Sequence, residues 1–288
     1  MEDSVVVGIY QLLLVATIYK IIRLHSVKNY LKLEETLKPE DNNNTTDSKQ
    51  QEHMGHNHYE QPHHQPPVSN RYSVELRYDS SVPEAGRPTK LTVSIMENSG
   101  THVREFEPVH DKLMHLIIVG EDLSYFAHIH PVLENNGEKF TIVHTFPEAG
   151  KYKLWIDFKP KGGNQNVLDF MVYVRGLPVH NPVIPVYDGK YTKEASDSNY
   201  RISLKLPQEK IVANTNVDIV FSISDAAGNP VIDLEPLMGA GGHSVIISSN
   251  IQNFLHVHPT EEVNPDWKGG PHISFRTTFP KPDLYKVW

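Results

Sequence analysis

Cysteine is absent from the 288 residues. That excludes disulfides, zinc–thiolate sites, iron–sulfur clusters and thiol nucleophiles together. Basic charge is not in excess either: 27 Lys and Arg stand against 35 Asp and Glu, a net charge of −8 with His neutral. A nucleic-acid binder needs a basic face to displace counterions from phosphate, so that class is set aside. No Gly-rich phosphate loop, no Ser-centred nucleophile elbow and no HExxH motif occurs, which leaves nucleotide and hydrolase chemistry without support. Apolar residues make up 39%, low for a globular chain, so part of it is expected outside any packed core. Helical periodicity is missing too: between residues 72 and 288 no convincing 3.6-residue period appears.

What the chain has is histidine, 17 in all and unevenly placed. Ahead of the first cluster, residues 4–22 read SVVVGIYQLLLVATIYKII, broken only by Gln11 and Lys20. As a helix they span roughly 28 Å at about 1.5 Å per residue, close to a bilayer core. Lys20 and Arg23 lie at one end, where long side chains reach headgroups. The segment opens with Glu2 and Asp3 and lacks a small-residue cleavage site, so residues 4–24 are read as an uncleaved transmembrane anchor. Lys20, Arg23, Lys28 and Lys32 all follow the span, and the positive-inside rule then assigns the bulk of the chain to the cytoplasm. Residues 33–70 keep no hydrophobic period and are expected to form a disordered tether. It carries His53, Met54, His56, His58, His63 and His64, imidazole and thioether donors that suit copper capture, with zinc and nickel as alternatives.

The rest of the chain is a tandem duplication. At an offset of 128, Tyr72-Ser-Val-Glu-Leu meets Tyr200-Arg-Ile-Ser-Leu, and Leu91, Val93 and Ile95 meet Ile219, Phe221 and Ile223. His115-Leu-Ile-Ile-Val meets His243-Ser-Val-Ile-Ile, and Phe126-Ala-His-Ile-His-Pro meets Phe254-Leu-His-Val-His-Pro. A five-residue insertion around residues 264–270 moves the offset to 133, so that Phe146, Tyr152 and Trp155 meet Phe279, Tyr285 and Trp288. Short runs of period two, punctuated by Pro and Gly, predict an all-β chain of two immunoglobulin-like antiparallel β-sandwiches, residues 71–176 and 200–288. A Pro-containing linker, 177–199, joins them. The second copy stops where the first continues for 19 residues, so its last strand or two are expected to be missing and a sheet edge left open.

Each copy contains His-x12-His-x-His-Pro-x-x-Glu: His115, His128, His130 and Glu134, then His243, His256, His258 and Glu262. Residues two apart share a strand face, so His128 and His130 point one way, as do His256 and His258. Hairpins with two-residue turns at Glu121-Asp122 and Ser249-Asn250 make opposed positions of copy one sum to 243, which sets His115 across from His128 and His243 across from His256. Cross-strand Cβ atoms lie about 4.5–5.5 Å apart, a separation from which imidazoles converge on one ion. Three neutral imidazoles without thiolate fit copper or zinc with an open position. Glu134 and Glu262 are further candidates, as fourth ligands or partners of the ligands. His144, whose counterpart is Thr277, reads as a strand-surface residue, and Met114, Trp155, Trp288, Phe146 and Phe279 read as core. His110 and its counterpart Met238 could also reach a copper ion.

At His115-Leu-Ile-Ile-Val, His128-Ile-His-Pro131 and Phe146-Pro-Glu-Ala-Gly-Lys-Tyr152, the chain resembles a family of bacterial extracytoplasmic β-sandwich proteins associated with copper and other heavy-metal efflux systems. The resemblance implies sandwiches outside the cytoplasmic membrane, against the charge rule, and a metal efflux system as partner. Two other likenesses are weaker. His-x-His-x3-Glu is similar to the first cupin motif, but the later cupin His is missing, and the ligands and cysteines of copper–zinc superoxide dismutase are absent. The expectation is a membrane-anchored copper-binding protein for sequestration or delivery, without catalysis. The alternatives are a mononuclear cupin-like metal enzyme, or an adhesive or scaffolding sandwich whose histidines are incidental.

Overall fold

The computed structural model describes residues 71–79, 82–109, 111–134, 136–177, 199–206 and 211–288, with the backbone of two further strands at 8–12 and 192–196. Among these the chain is all-β. In chain order the strands are β1 (Gly8–Leu12), β2 (Tyr72–Tyr78), β3 (Pro88–Glu97), β4 (Phe106–Glu107), β5 (Met114–Gly120), β6 (Phe126–Ile129), β7 (Val132–Leu133), β8 (Phe140–Thr145), β9 (Gly150–Pro160) and β10 (Asn166–Val174). The second copy supplies β11 (Thr192–Ser196), β12 (Tyr200–Lys205), β13 (Asn216–Asp225), β14 (Ser244–Ser248), β15 (Phe254–Val257), β16 (His272–Thr278) and β17 (Leu284–Val287). The first sandwich packs the sheet β2-β3-β8-β7 against β10-β9-β5-β6, with β4 on β9. The second packs β11-β12-β13-β16 against β1-β17-β14-β15.

Alternation fills both interiors. Leu91, Val93 and Ile95 of β3 meet Met114, Leu116 and Ile118 of β5, together with Phe140, Phe146, Leu154, Ile156 and Phe158. In the second copy Leu204, Val217, Ile219, Ile246, Phe275, Phe279 and Tyr285 do the same. Met114, Phe146 and Phe279 thus lie in the cores to which their patterns assign them.

All seven residues of β5 are buried, as are all five of β14. A half-solvated strand buries only alternate residues, so a second layer must cover the other face. That layer is the other copy. Ile117, Val119, Leu123 and Trp155 pack against Val245, Ile247, Ile251, Phe254 and Trp288 in a third apolar cluster between the sandwiches. Its members are counterparts in the duplication, so the two copies meet about an approximate two-fold axis. Trp155 and Trp288 are buried here, between the sandwiches.

The register differs from the two-residue-turn expectation. Ile117 lies opposite His128 and Leu116 opposite Ile129, so opposed positions sum to 245. Val245 lies opposite His256 in the same way. Each hairpin closes through four residues, with Gly120 N–H donating to Tyr125 O at 3.1 Å and Ser248 N–H to Asn253 O at 3.0 Å. The extra two residues are set by side-chain turns: Asp122 Oδ1 accepts from Ser124 N–H at 2.9 Å, and Asn250 Oδ1 from Gln252 N–H at 2.9 Å. Leu123 (φ 60°) and Ile251 (φ 51°) then take the left-handed conformation, costly for a branched residue but offset by burial between the sandwiches. A slip of two preserves the face, so the histidines still share it.

The second copy differs from expectation at its edge. β17 is flanked by β14 on one side and, in parallel, by β1 on the other, Gly8 opposite Leu284 and Leu12 opposite Val287. β1 therefore holds the place that β10 holds beside β9 in the first copy. An open strand presents a row of unpaired N–H and C=O groups, and an apolar extended segment satisfies them. At residues 8–12 the backbone is accordingly extended where a helix was expected. The remainder of the 4–24 anchor and the 33–70 tether, with His53, Met54, His56, His58, His63 and His64, lie outside the described residues, as does most of the 177–199 linker. Among the described residues no helix is long and apolar enough to cross a membrane.

Candidate metal centre

The face of β5 that carries Ile117 and Val119 also carries His115, and β6 adds His128 with His130 just beyond it. The approximate two-fold brings His243, His256 and His258 against them. Six imidazoles therefore converge between the sandwiches. Within the first copy the ring of His115 lies 5.1 Å from that of His128 and 4.9 Å from that of His130. Within the second, the ring of His258 lies 5.0 Å from His243 and 4.6 Å from His256. Across the interface the His256 ring stands 5.3 Å from His115 and 5.3 Å from His128, closer than the 6.1 Å to His243 of its own copy.

Among the described residues, two sets of three bring one ligand-capable nitrogen each to within 4.8 Å of one another. One is His243, His256 and His258, the set that the motif spacing groups. The other is His115, His128 and His256, which draws on both copies.

Acceptors around the cluster fix which nitrogen each ring presents. The Val109 carbonyl lies 2.7 Å from His115 Nε2; a carbonyl can only accept, so Nε2 carries the hydrogen and Nδ1 presents its lone pair. The Leu237 carbonyl, Val109's counterpart, does the same for His243 Nε2 at 2.9 Å. Asp157 Oδ2 lies 3.3 Å from His256 Nδ1, which leaves Nε2 of His256 as the donor. His128 Nε2 lies 2.8 Å from His115 Nδ1 and donates its hydrogen there. His130 Nε2 is buried without a hydrogen-bond partner.

The rings of His115, His128, His130 and His243 are kept neutral. Burial first, and then repulsion from the neighbouring imidazoles of His256, His115, His130 and His243, holds His128 far below the usual histidine range. The same two causes push His130 down to about 3. Desolvation also lowers His115, against the raising effect of its bond to Val109, and lowers His243. His115 and His243 turn a hydrogen to an outer carbonyl and His256 to Asp157, while His128 spends its Nε2 hydrogen on His115 Nδ1. An ion entering there would displace that hydrogen to the other ring nitrogen. Imidazoles so arranged are the donor set that a borderline cation completes.

Asp157 escaped sequence reasoning. It is fully buried, sits opposite His115 in the β5–β9 register, and accepts from Gln165 Nε2 at 2.8 Å on each oxygen. The available signal was one charge inside the otherwise apolar run Leu154-Trp-Ile-Asp-Phe158. The motif's carboxylates lie elsewhere: Glu134 faces Lys90 Nζ at 3.7 Å and Glu262 is exposed, and neither belongs to the histidine sets. His144 is half-buried, with Nε2 3.3 Å from the Tyr125 hydroxyl. His110 lies outside the described residues.

No curated protein sequence matches the chain. Among solved structures, FdeC, an Escherichia coli adhesin, is similar over 76% of this chain at 13% identity and a TM-score of 0.25; the chain spans 58% of that structure's length. A structure of carbohydrate-binding modules from the β-sandwich superfamily, described as promiscuous in specificity, is similar over 77% of this chain and 96% of its own at 10% identity and a TM-score of 0.24. At such scores neither similarity carries information on function. One family model matches twice, over residues 67–176 and 194–288. These matches take in most of the chain, and the chain belongs to the family described as a domain of unknown function, DUF8832, which it carries in two copies.

Proposed function

We propose that the chain is a membrane-anchored, copper-binding protein of heavy-metal homeostasis, with zinc as the alternative ion, built from immunoglobulin-like sandwiches held outside the cytoplasmic membrane and acting in sequestration or delivery to an efflux system. Anchoring through residues 4–24 would require residues 8–12 to leave β17. The observation that carries this reading is the convergence of six imidazoles on one buried interface, with ligand-capable nitrogens of His115, His128 and His256 within 4.8 Å of one another. An all-imidazole set lacking thiolate suits copper and zinc and leaves hard, oxygen-seeking cations unserved. Burial favours holding over catalysis. His115 is wholly inaccessible, the side chains of His256 and Asp157 are 5% and 0% exposed, and His128 is partly buried; this enclosure supports holding an ion over presenting it to an organic substrate. A cupin-like enzyme would need an open apolar cavity against its metal.

The tether would bind ions loosely and must be silenced in the test. The full chain with His53, His56, His58, His63 and His64 replaced by Gln and Met54 by Leu is stripped of metal and titrated with copper(II) or zinc(II). Tight binding should survive these changes and disappear when His115→Ala and His128→Ala are added. Binding that vanishes with the tether alone would sink the proposal.

A further inference from the structure

We propose that the two sandwiches share one ion, bound by His115 and His128 of the first copy and His256 of the second, so that a chain with two copies of the motif has a single site. The proposal rests on the metal-binding reading above and adds the site's composition and stoichiometry.

Three observations carry it. First, His256 is the only member common to both sets of three, and its ring reaches both copies: it lies 5.3 Å from His115 and from His128 across the interface, between the 4.6 Å to His258 and the 6.1 Å to His243 of its own copy. Second, the Asp157 carboxylate holds the Nδ1 hydrogen of His256. An imidazole so committed has one lone pair to give, through Nε2, and cannot ligate two ions at once. Occupation of either set therefore empties the other. Third, the sets differ in electrostatics. The buried carboxylate comes from β9 of the first copy and stands opposite His115 in the register. Asp157 acts electrostatically on His115 as well as bonding His256, whereas the carboxylate acting on His243 is Asp111, so an ion among His115, His128 and His256 has Asp157 beside two of its ligands.

A bound ion also ties β5 and β6 to β15, elements otherwise joined across the interface by apolar contacts. Metal binding and docking of the two sandwiches are then one equilibrium.

The test uses the full chain with the tether ligands replaced as above, titrated with copper(II) or zinc(II) and assayed for bound metal per chain. The expected result is one ion per chain, with affinity reduced at least 100-fold by His128→Ala and equally by His256→Ala, and largely retained in His243→Ala. The last variant removes an imidazole that also bonds a backbone carbonyl, so its retained binding separates loss of a ligand from loss of fold. Two ions per chain, one of them surviving each substitution, would overturn the shared site and leave metal binding standing. One ion lost with His243→Ala but kept with His128→Ala would move the site into the second copy and overturn the proposal equally. Absence of any ion removes both readings.

Discussion

Trp288, in the second sandwich, stacks on Phe126 of the first, with ring centroids 5.0 Å apart and planes inclined by 16°. The duplication pairs Trp288 with Trp155 and Phe126 with Phe254, and these counterparts stack as well, at 5.2 Å and 18°. The lysines two residues before each tryptophan repeat the arrangement: Lys153 lies 5.4 Å from the Trp155 ring and Lys286 lies 5.1 Å from that of Trp288. Lys286 reaches across to donate to the Leu123 carbonyl at 2.5 Å, and Lys153 pairs with Asp169 at 2.8 Å within its own copy. The interface is thus a set of matched residues, each meeting the counterpart of its own neighbour. That matching brings the two histidine motifs together.

The stacked pairs should be measurable as couplings. Trp288→Ala and Trp155→Ala each empty a buried indole site and should cost about 3–5 kcal/mol of stability. In a double-mutant cycle, Phe126→Leu with Trp288→Leu should show a coupling of about 0.5–1.5 kcal/mol beyond the sum of the single changes. Denaturant unfolding of the metal-free chain measures both. A coupling indistinguishable from zero means that the two rings do not meet in solution.

Asp157→Asn should separate positioning from packing. Asn keeps the shape and can still accept from His256 Nδ1, but it brings no charge. The metal-free fold should change little, and affinity for copper or zinc should fall about 10–100-fold, the usual effect of removing a ligand's carboxylate partner. Isothermal titration of the tether-silenced chain gives the affinity, and circular dichroism the fold. Unchanged affinity would show that Asp157 packs beside the site without acting on it.

Much of this was legible in the residues, and the failures have physical causes. The repeat and the period-two runs reveal an all-β chain in two copies, and the two-residue period keeps the histidines of each motif on one face. The hairpin register was missed by two because an Asx turn followed by a left-handed residue gives a four-residue loop; Asp122 and Asn250 were the available signals. The meeting of the copies was harder to read. Leu116-Ile-Ile-Val119 and Val245-Ile-Ile247 announce strands buried on both faces, yet no local pattern states what covers the second one. Phe126 and Trp155, apolar residues on the face that the histidines share, were the hint that this face is not solvated. The pairing of β1 with β17 was not legible, because an apolar run that suits a bilayer also suits an open sheet edge.

The pH dependence of stability has an assignable part outside the candidate site. His144 lies between Tyr125, whose hydroxyl is 3.3 Å from Nε2, and Phe146, whose ring centroid is 4.8 Å away. Burial pushes its pKa down to about 4. The unfolded chain takes up this proton near pH 6.5, the ordinary histidine value, and the folded chain only near pH 4. As pH falls through that window the unfolded state binds a proton that the folded state refuses, so stability is lost; above the window the residue adds no slope. His144→Gln should therefore flatten the decline in unfolding free energy between pH 7 and 4.5, measured by denaturant titration in metal-free buffer. Parallel curves for the two proteins would mean that His144 titrates normally in the fold.

Metal should stabilise the chain through the shared histidine. A ligand that binds only the folded state adds RT ln(1 + [L]/Kd), about 2.7 kcal/mol when free ion is 100-fold above Kd. For a folded body of this size that corresponds to a rise in Tm of about 5–10 °C. Because the proposed ligands come from both sandwiches, the rise should apply to the unfolding of both copies, drawing them into one calorimetric transition. A site confined to one copy would lift only that copy's transition and broaden or split the profile. His256→Ala should remove the shift at the same free-ion concentration, and a chelator added to the loaded protein should reverse it. Scanning calorimetry of the tether-silenced chain, with and without zinc(II), distinguishes these outcomes without redox chemistry. A split profile on loading would assign the ion to a single copy.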